Sequence, residues 1–396
     1  MEIKLNKKQK VSLGAIFILT ALLGVGVIYW KHEKASVPAL PIERPKTVGN
    51  ELMPPPEPPT LYHYQTGPIS MATMKNKGCV ADGLLSGYGK DTNAEVAMIQ
   101  RSDCTYLHRA LETWGSPPDF NKAAQIMQKI NKPGLIYGMF IAEDLRTSAD
   151  YSYAGSNGDS KQFNFRDMCR NGSDNAWGEH TCKPNLDRRA YRDYVTYIME
   201  RGIDLGIQSF MFGQIYYQDN PDLSQSKLHQ VLDTVRAYAK KKGVQIVIGA
   251  QTGNITDEKY LQQFDYIEGG VGIGDSGTIE SGPCWSQLSS CWALLWNQQY
   301  ASKAKNVFLA LDWSGLQFDD MSSFARMDKD KRATVIQKLY TYFTSKNMGF
   351  MLPMMATLNR ANGGCYGAKK GFYSASNQYG CGDEDVINSI LNKNAG

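Results

Sequence analysis

The strongest constraint on the fold is a set of short apolar segments that recurs along the chain and alternates with helical patterns. Interpreted as strands, eight such segments cover 80–86, 106–113, 134–145, 206–217, 244–250, 266–269, 307–313 and 349–356. Apolar residues with a 3.6-residue period separate most of them, which is typical of helices. Eight strands joined by helices predict an α/β fold that closes into a (β/α)8 barrel, with an open doubly wound sheet as the alternative.

The N-terminal region predicts a membrane anchor. Residues 11–30 carry no charge, and about 20 apolar residues are enough for a helix to span a bilayer. Four lysines precede this segment, so the positive-inside rule places the N-terminus in the cytoplasm and the rest of the chain outside it. A cleaved signal peptide is the alternative, but its apolar core is usually shorter and no small-residue cleavage site follows Trp30.

These features divide the chain into four parts. We expect a cytoplasmic tip over 1–10, a transmembrane anchor over 11–30, a Pro-rich linker over 31–69 and the barrel over 70–396. Proline-rich sequence favours extended conformation and cannot build a core, which is why the third part is interpreted as a spacer. The barrel is then periplasmic or extracellular.

The eight cysteines fit an oxidising compartment, where disulfides persist. Cys79 and Cys104 fall near the starts of neighbouring strands, and three further pairs would close local loops: Cys169 with Cys182, Cys284 with Cys291, and Cys365 with Cys381. Because eight cysteines allow many pairings, this connectivity is a hypothesis. The spacings of a zinc site are missing from the sequence, so no metal is predicted.

Charge and glycine patterns narrow the class of ligand. The formal net charge of +4 comes largely from the N-terminal tip, so we expect no nucleic-acid partner. Gly272, Gly274 and Gly277 match the dinucleotide-binding fingerprint by letter, but no helix opens directly on them. We interpret this segment as a flexible loop over the barrel mouth and predict no cofactor.

Polar residues follow the apolar runs at the ends of most predicted strands, and these ends would meet at one mouth of a barrel. The catalytic candidates are Glu143, Glu268 and Asp312. The substrate-binding candidates are Tyr88, Glu112, Trp114, Asp144, Gln214, Tyr217, Gln251 and Trp313. Carboxylates and amides bind hydroxyl groups, and aromatic rings pack on the apolar faces of sugars. The mouth therefore predicts a carbohydrate site.

Glycoside cleavage needs a carboxylic acid and a carboxylate, and the three catalytic candidates can supply them. Glu143 is the predicted general acid, because the apolar run before it would raise its pKa by desolvation, with Glu268 or Asp312 as its partner. Each acid also has a structural interpretation, such as an ion pair between Glu143 and Arg146. Asp82, inside the first strand, needs a buried partner if it has no catalytic role.

The strand-end segments LETWG, FIAED, FMFGQ, YIEGG and ALDW resemble those of extracellular TIM-barrel glycoside hydrolases over about residues 70–392. The resemblance implies glycoside hydrolysis, and together with the predicted anchor it leads to a membrane-anchored hydrolase that acts on a cell-surface or envelope polysaccharide. It is architectural, since Gly213-Gln214 stands where many such enzymes carry an Asn-Glu pair after strand four. This departure leaves a non-catalytic carbohydrate-binding or scaffold protein as the alternative.

Overall fold

The computed structural model describes residues 68–89, 91–114, 117–147, 150–154, 160–219, 225–279, 298–311, 320–358, 364–365 and 371–393. Apart from 175–179, they belong to one compact unit. The predicted tip, the anchor and nearly all of the linker lie outside the described residues. Among the described helices, none has the length and apolar composition needed to cross a bilayer.

The strands are β1 (Gly78–Ala81), β2 (Tyr106–Glu112), β3 (Ile136–Ile141), β4 (Leu145–Arg146), β5 (Asp150–Ala154), β6 (Ser160–Asn164), β7 (Thr181–Cys182), β8 (Ile207–Phe212), β9 (Val247–Gln251), β10 (Tyr266–Gly270), β11 (Val307–Ala310), β12 (Gly349–Phe350), β13 (Leu352–Thr357) and β14 (Phe372–Ser374). The helices are α1 (Met71–Lys77), α2 (Thr92–Arg101), α3 (Phe120–Ile130), α4 (Arg189–Leu205), α5 (Ile215–Gln218), α6 (Gln225–Lys242), α7 (Glu258–Leu261), α8 (Gln298–Ala301), α9 (Asp320–Ala325), α10 (Lys329–Thr344) and α11 (Glu384–Lys393).

Parallel strands form the wall of the barrel. Their order is β12, β11, β10, β9, β8, β3, β2, β1 and β13, and β14 pairs antiparallel with β13. Only Met351 separates β12 from β13, so these are two parts of one strand. One part pairs with β11 and the other with β1. The sheet therefore curls back on itself in a TIM-like fold, rather than lying open as a doubly wound sheet.

Side chains from the strands fill two separate cores, because alternate residues of a strand face opposite sides of the wall. The larger core lies between the wall and the helices. The smaller one lies inside the barrel and includes Tyr106, Phe140, Tyr266 and Phe308. The polar site described below is built on the same inner face, above this apolar floor.

Helix α1 closes the N-terminal end of the barrel. Met74 of α1 is fully buried and belongs to the inner core. The backbone N–H of Ile69 donates to Gln245 Oε1 at 3.1 Å, just before β9 begins. The chain therefore enters the barrel at the end opposite to the C-terminal ends of the strands.

Local signals explain where individual elements begin and end. Asp119 caps α3 by accepting the N–H of Lys122 at 2.9 Å. The predicted fourth strand, over 206–217, is too long. It ends at Phe212, and the residues after Gln214 turn into α5, where the Gln218 amide donates to the carbonyl of Gly213.

The stretch after β3 contains two antiparallel strand pairs, β4 with β7 and β5 with β6. The disulfide Cys169–Cys182 lies within it. Disulfides also join Cys79 to Cys104 and Cys365 to Cys381, so three predicted pairs are confirmed. The fourth predicted pair lies outside the described residues. Three disulfides fit an extracellular or periplasmic domain.

Candidate functional site

Four neighbouring strands present a row of acid and amide side chains at their C-terminal ends. Glu143 follows β3, Gln214 follows β8, Gln251 ends β9, and Glu268 lies in β10. The side-chain Nε2 of Gln214 donates to Glu143 Oε1, and its backbone N–H donates to Gln251 Oε1 at 3.3 Å. Gln251 Nε2 then donates to Glu268 Oε1 at 3.1 Å. Hydrogen bonds thus bring four of the predicted site residues into one row.

The position of Glu143 depends on its neighbours in β3 and on the turn after β8. A Cβ atom at Gly213 would overlap Glu143 Oε2 and the ring of Phe140, so only glycine leaves room for this carboxyl group. The hydroxyl of Tyr216 donates to Gln214 Oε1 at 2.6 Å. This contact directs the amide nitrogen of Gln214 towards Glu143.

Glu268 is also tied across the barrel to His108 of β2. The imidazole Nε2 contacts Glu268 Oε2, and each of these side chains is 1% exposed. The hydroxyl of Tyr106 lies 2.6 Å from His108 Nδ1 and fixes the orientation of the ring. Ser209 Oγ continues this network, 2.9 Å from the Tyr106 hydroxyl and 3.1 Å from that of Tyr266. Glu268 therefore has a partner on each carboxylate oxygen.

A bulge in β2 turns Arg109 towards a second group of acids. The register of β2 against β3 shifts between Leu107 and Leu111. Arg109 has a φ of 57°, a left-handed conformation that is uncommon for a residue other than glycine and costs about 1–3 kcal/mol. Its Nε donates to Glu112 Oε1 at 2.9 Å and lies 3.4 Å from Asp82 Oδ1. Bulges and strained residues of this kind are frequent at functional sites.

Burial and charge move the pKa values of these acids in opposite directions. Burial raises the pKa of Glu112 to about 8, although Arg109 opposes the shift. Burial also raises the pKa of Asp82 against the opposing effect of Arg109. Burial alone would raise the pKa of Glu268 as well, but His108 and its other partners outweigh it and hold that pKa below its usual range. Burial therefore dominates at Glu112 and Asp82, whereas the donors around Glu268 dominate there.

Two predicted aromatic residues lie close to the acid cluster. The ring of Tyr88 packs where a Cβ of Gly83 would stand, and burial together with the charge of Glu112 raises its pKa. Trp114 packs against Phe140, with 5.6 Å between ring centroids. Both predicted residues are only half-buried, so each leaves part of its surface for a ligand.

Tyr217, the third predicted aromatic residue described here, is covered by its neighbours. The ammonium of Lys183 lies 3.8 Å from its ring centroid, and the ring of Tyr216 lies 4.4 Å away between centroids. A sugar could stack on Tyr217 only by displacing one of them. Its role in substrate binding stays a prediction.

Of the remaining predicted residues, the structure describes only Asp144, which is not part of the row. Asp144 is 9% exposed, and burial raises its pKa to about 6, with Arg146 opposing the shift. Asp312 and Trp313 lie outside the described residues, so their predicted catalytic and binding roles are untested.

Sequence reasoning missed His108 and Arg109, which are the charged partners of the site. Both lie within the strand YLHRALE, and their presence in an otherwise apolar strand was the available signal. A charged residue in a buried strand needs a partner, and here the partners are the acids of the site. Asp82 meets the same expectation, because it lies opposite Arg109.

Asp320 is a further residue that the sequence did not single out. Its carboxylate accepts the backbone N–H groups of Val271, Gly272 and Ile273 at 2.7, 3.0 and 2.8 Å. These residues belong to the glycine-rich segment after β10, which was expected to be flexible. Val271 and Ile273 are fully buried, so this part of the segment is anchored next to the strand that carries Glu268.

Comparison with solved structures finds glycoside hydrolases. A β-1,4-mannanase of family GH113 is 13% identical, with 80% of this chain and 98% of that chain covered at a TM-score of 0.42. A GH27 β-L-arabinopyranosidase from Geobacillus stearothermophilus is 10% identical, with 81% and 76% covered at a TM-score of 0.43. This similarity is weak. At these values we infer nothing about residue roles or substrate from it.

No family model matches the chain, and no curated protein matches its sequence. Function is therefore inferred from the chemistry of the site itself.

A surface depression of about 410 Å³ lies away from the acids. It is lined by the C-terminal end of α6 and the residues just before β9, with Arg236 and Asp265 in its wall. This is the N-terminal end of the barrel, so the depression is separate from the site. Within the described part of the chain, no group of three or more His, Cys, Asp or Glu side chains is arranged to hold a metal ion.

Proposed function

We propose that the chain is a membrane-anchored, extracytoplasmic, glycoside hydrolase-like protein that acts on a cell-surface or envelope polysaccharide by carboxylate acid/base chemistry. The row from Glu143 through Gln214 and Gln251 to Glu268 carries this proposal. Acids and amides side by side offer both acceptors and donors, which suits a ligand rich in hydroxyl groups. Residues 11–30 are the proposed anchor, and the linker after them the spacer.

The contacts of Glu268 suit the ionised role in hydrolysis. One carboxylate of a glycoside hydrolase acts as nucleophile or base, while another carboxyl group protonates the leaving oxygen. Donors from His108 and Gln251 reach both oxygens of Glu268 and favour its charged form. Glu143 is the general acid proposed from the sequence, and Asp312 is the alternative to Glu268 as its ionised partner.

A non-catalytic carbohydrate-binding or scaffold protein is the second candidate. The depth of the acids favours it, since Glu143 and Glu268 are each 1% exposed. Carboxyl groups that only hold the barrel together can remain buried, whereas catalytic ones must reach a sugar. The two candidates therefore differ in whether a polysaccharide is cut or only bound.

Release of reducing ends from a panel of cell-surface polysaccharides tests the proposal. The detergent-solubilised full chain is compared with Glu268→Gln, Glu143→Gln and a matched control, Glu258→Gln, at an exposed position of α7. We expect release by the wild type and the control, and a loss of about 10²-fold or more in Glu268→Gln. Saturable binding without release on any polymer would favour the second candidate.

A further inference from the structure

The acids around β2 support a further assignment, which rests on the proposed function. Asp82, Glu112 and Glu268 are 4%, 5% and 1% exposed. These three carboxyl groups face two basic side chains, Arg109 and His108. Even with both bases protonated, one negative charge is left over. A proton on one carboxyl group removes this charge, which would otherwise be costly to bury.

The contacts indicate which acids compete for that proton. Glu268 accepts from His108 on one oxygen and from Gln251, at 3.1 Å, on the other. Hydrogen bonds to the charged form favour ionisation, so Glu268 is the carboxylate. The charges of Asp82 and Glu112 are less well compensated than that of Glu268, because both acids approach the same Nε atom of Arg109, at 3.4 and 2.9 Å. A single guanidinium nitrogen does not fully compensate two buried charges.

Asp82 and Glu112 differ in their remaining surroundings. The backbone of Thr357 forms a hydrogen bond with Asp82 that favours its charged form. The side chain of Glu112 has Arg109 as its donor. The charges of Asp82 and Glu268 disfavour the ionised form of Glu112, and the phenol of Tyr88 supplies no positive charge to stabilise it. Burial raises the pKa of Glu112 to about 8, in agreement with this comparison.

We propose that Glu112, rather than Glu143, is the neutral carboxylic acid of the site and its proton donor. The side chain of Glu143 is instead held in the row by the amide of Gln214, which suits a role in binding. In hydrolysis, the proton of Glu112 passes to the glycosidic oxygen as the bond from that oxygen to the anomeric carbon breaks. The attacking water loses its proton to Glu268, and exchange with solvent restores both groups.

Infrared spectroscopy of the full chain in detergent tests the protonation state without any substrate. A neutral carboxyl group gives a C=O stretching band separate from the bands of carboxylates. At pH 7 we expect such a band to shift when glutamate side chains carry ¹³C, and to disappear in Glu112→Gln. The control Glu258→Gln should retain it. The band should fade as the pH is raised through about 8.

The outcomes are separable. A band that does not shift with glutamate labelling places the proton on an aspartate such as Asp82 and overturns the assignment. A band that shifts with the label but persists in Glu112→Gln overturns it as well. If Glu112→Gln does not fold, Glu112→Asp serves instead, because the band should then lose its sensitivity to the glutamate label. The result does not depend on sugar release. Failure of the proposed function and failure of this assignment are therefore distinguishable.

Discussion

His108 and Glu268 meet across the barrel, from β2 and β10, which are four steps apart in the order of the wall. No backbone hydrogen bonds join these strands, so the side-chain contact braces the barrel from inside. The same contact orients an acid of the proposed site. Changes at His108 should therefore affect both stability and chemistry.

Replacing His108 by alanine leaves Glu268 buried without its partner. Breaking a buried pair in this way costs about 3–5 kcal/mol, which we expect as a loss in the free energy of unfolding measured by urea denaturation. The matched control is His229→Ala, because His229 pairs with Asp233 on the surface and both side chains are 59% exposed. That change should cost about 0–1 kcal/mol. Equal losses in the two variants would show that the cross-barrel contact has no special role.

Gly213→Ala should displace the carboxyl group of Glu143, because the new methyl group would overlap it and the ring of Phe140. We expect overpacking to lower the free energy of unfolding by about 1–3 kcal/mol. Polysaccharide binding by the folded protein should also weaken, because the carboxyl group of Glu143 is displaced. Gly134→Ala is the control. It has open space around it and a φ of +79°, so it should cost about 1 kcal/mol and leave binding unchanged. Isothermal titration calorimetry measures polysaccharide binding by both variants. Unchanged binding in Gly213→Ala would contradict the placement of Glu143.

The raised pKa of Glu112 makes stability depend on pH. Its value is about 8 in the folded protein against an ordinary 4.5, so the folded state holds the proton over a wider range than the unfolded chain. This contribution is fully present below about pH 4.5 and is lost as the pH rises through 8. Relative to Glu112→Gln, the wild type should lose up to about 1.4 kcal/mol per pH unit in that window. Urea unfolding from pH 5 to 8 measures the difference, and parallel curves for the two proteins would refute it.

The disulfide Cys169–Cys182 should stabilise the segment between β3 and α4 more than the barrel wall. It closes a loop of 13 residues, for which chain entropy predicts about 3 kcal/mol. In Cys169→Ala/Cys182→Ala we expect a protease to cut this segment first while the barrel survives. Cys79→Ala/Cys104→Ala is the comparison, because that bridge joins β1 to the residues before β2. There, cleavage should begin in the barrel itself, and the same cleavage pattern in both variants would count against the distinction.

The sequence predicted the TIM-like fold because strand and helix periods are local and eight such units commonly form a barrel, although their number left an open doubly wound sheet as the alternative. Glu268 and Gln251 were identified because each lies at the end of an apolar run. Arg109 was missed because a bulge with left-handed backbone changes which face a residue points to, and the letters of the strand do not reveal it.

Other features depend on long-range contacts that no local pattern contains. The raised pKa of Glu112 results from burial and from the charges of Asp82 and Glu268 in other units of the chain, so it cannot be inferred from one strand end. Asp320 lies nearly fifty residues along the chain from the backbone amides that it binds. The length of the fourth strand was overestimated because α5 is also rich in strand-forming residues, such as Ile215 and Tyr217.

The closed base of the barrel has a practical consequence. Ile69 and Met74 hold the start of the described chain at the end of the barrel that faces away from the acids. Protein attached to a support at the first described residues would therefore be held at that end, with the acid-bearing end of the barrel directed towards the surrounding solution. Attachment through a surface residue near Trp114 would put the same acids against the support.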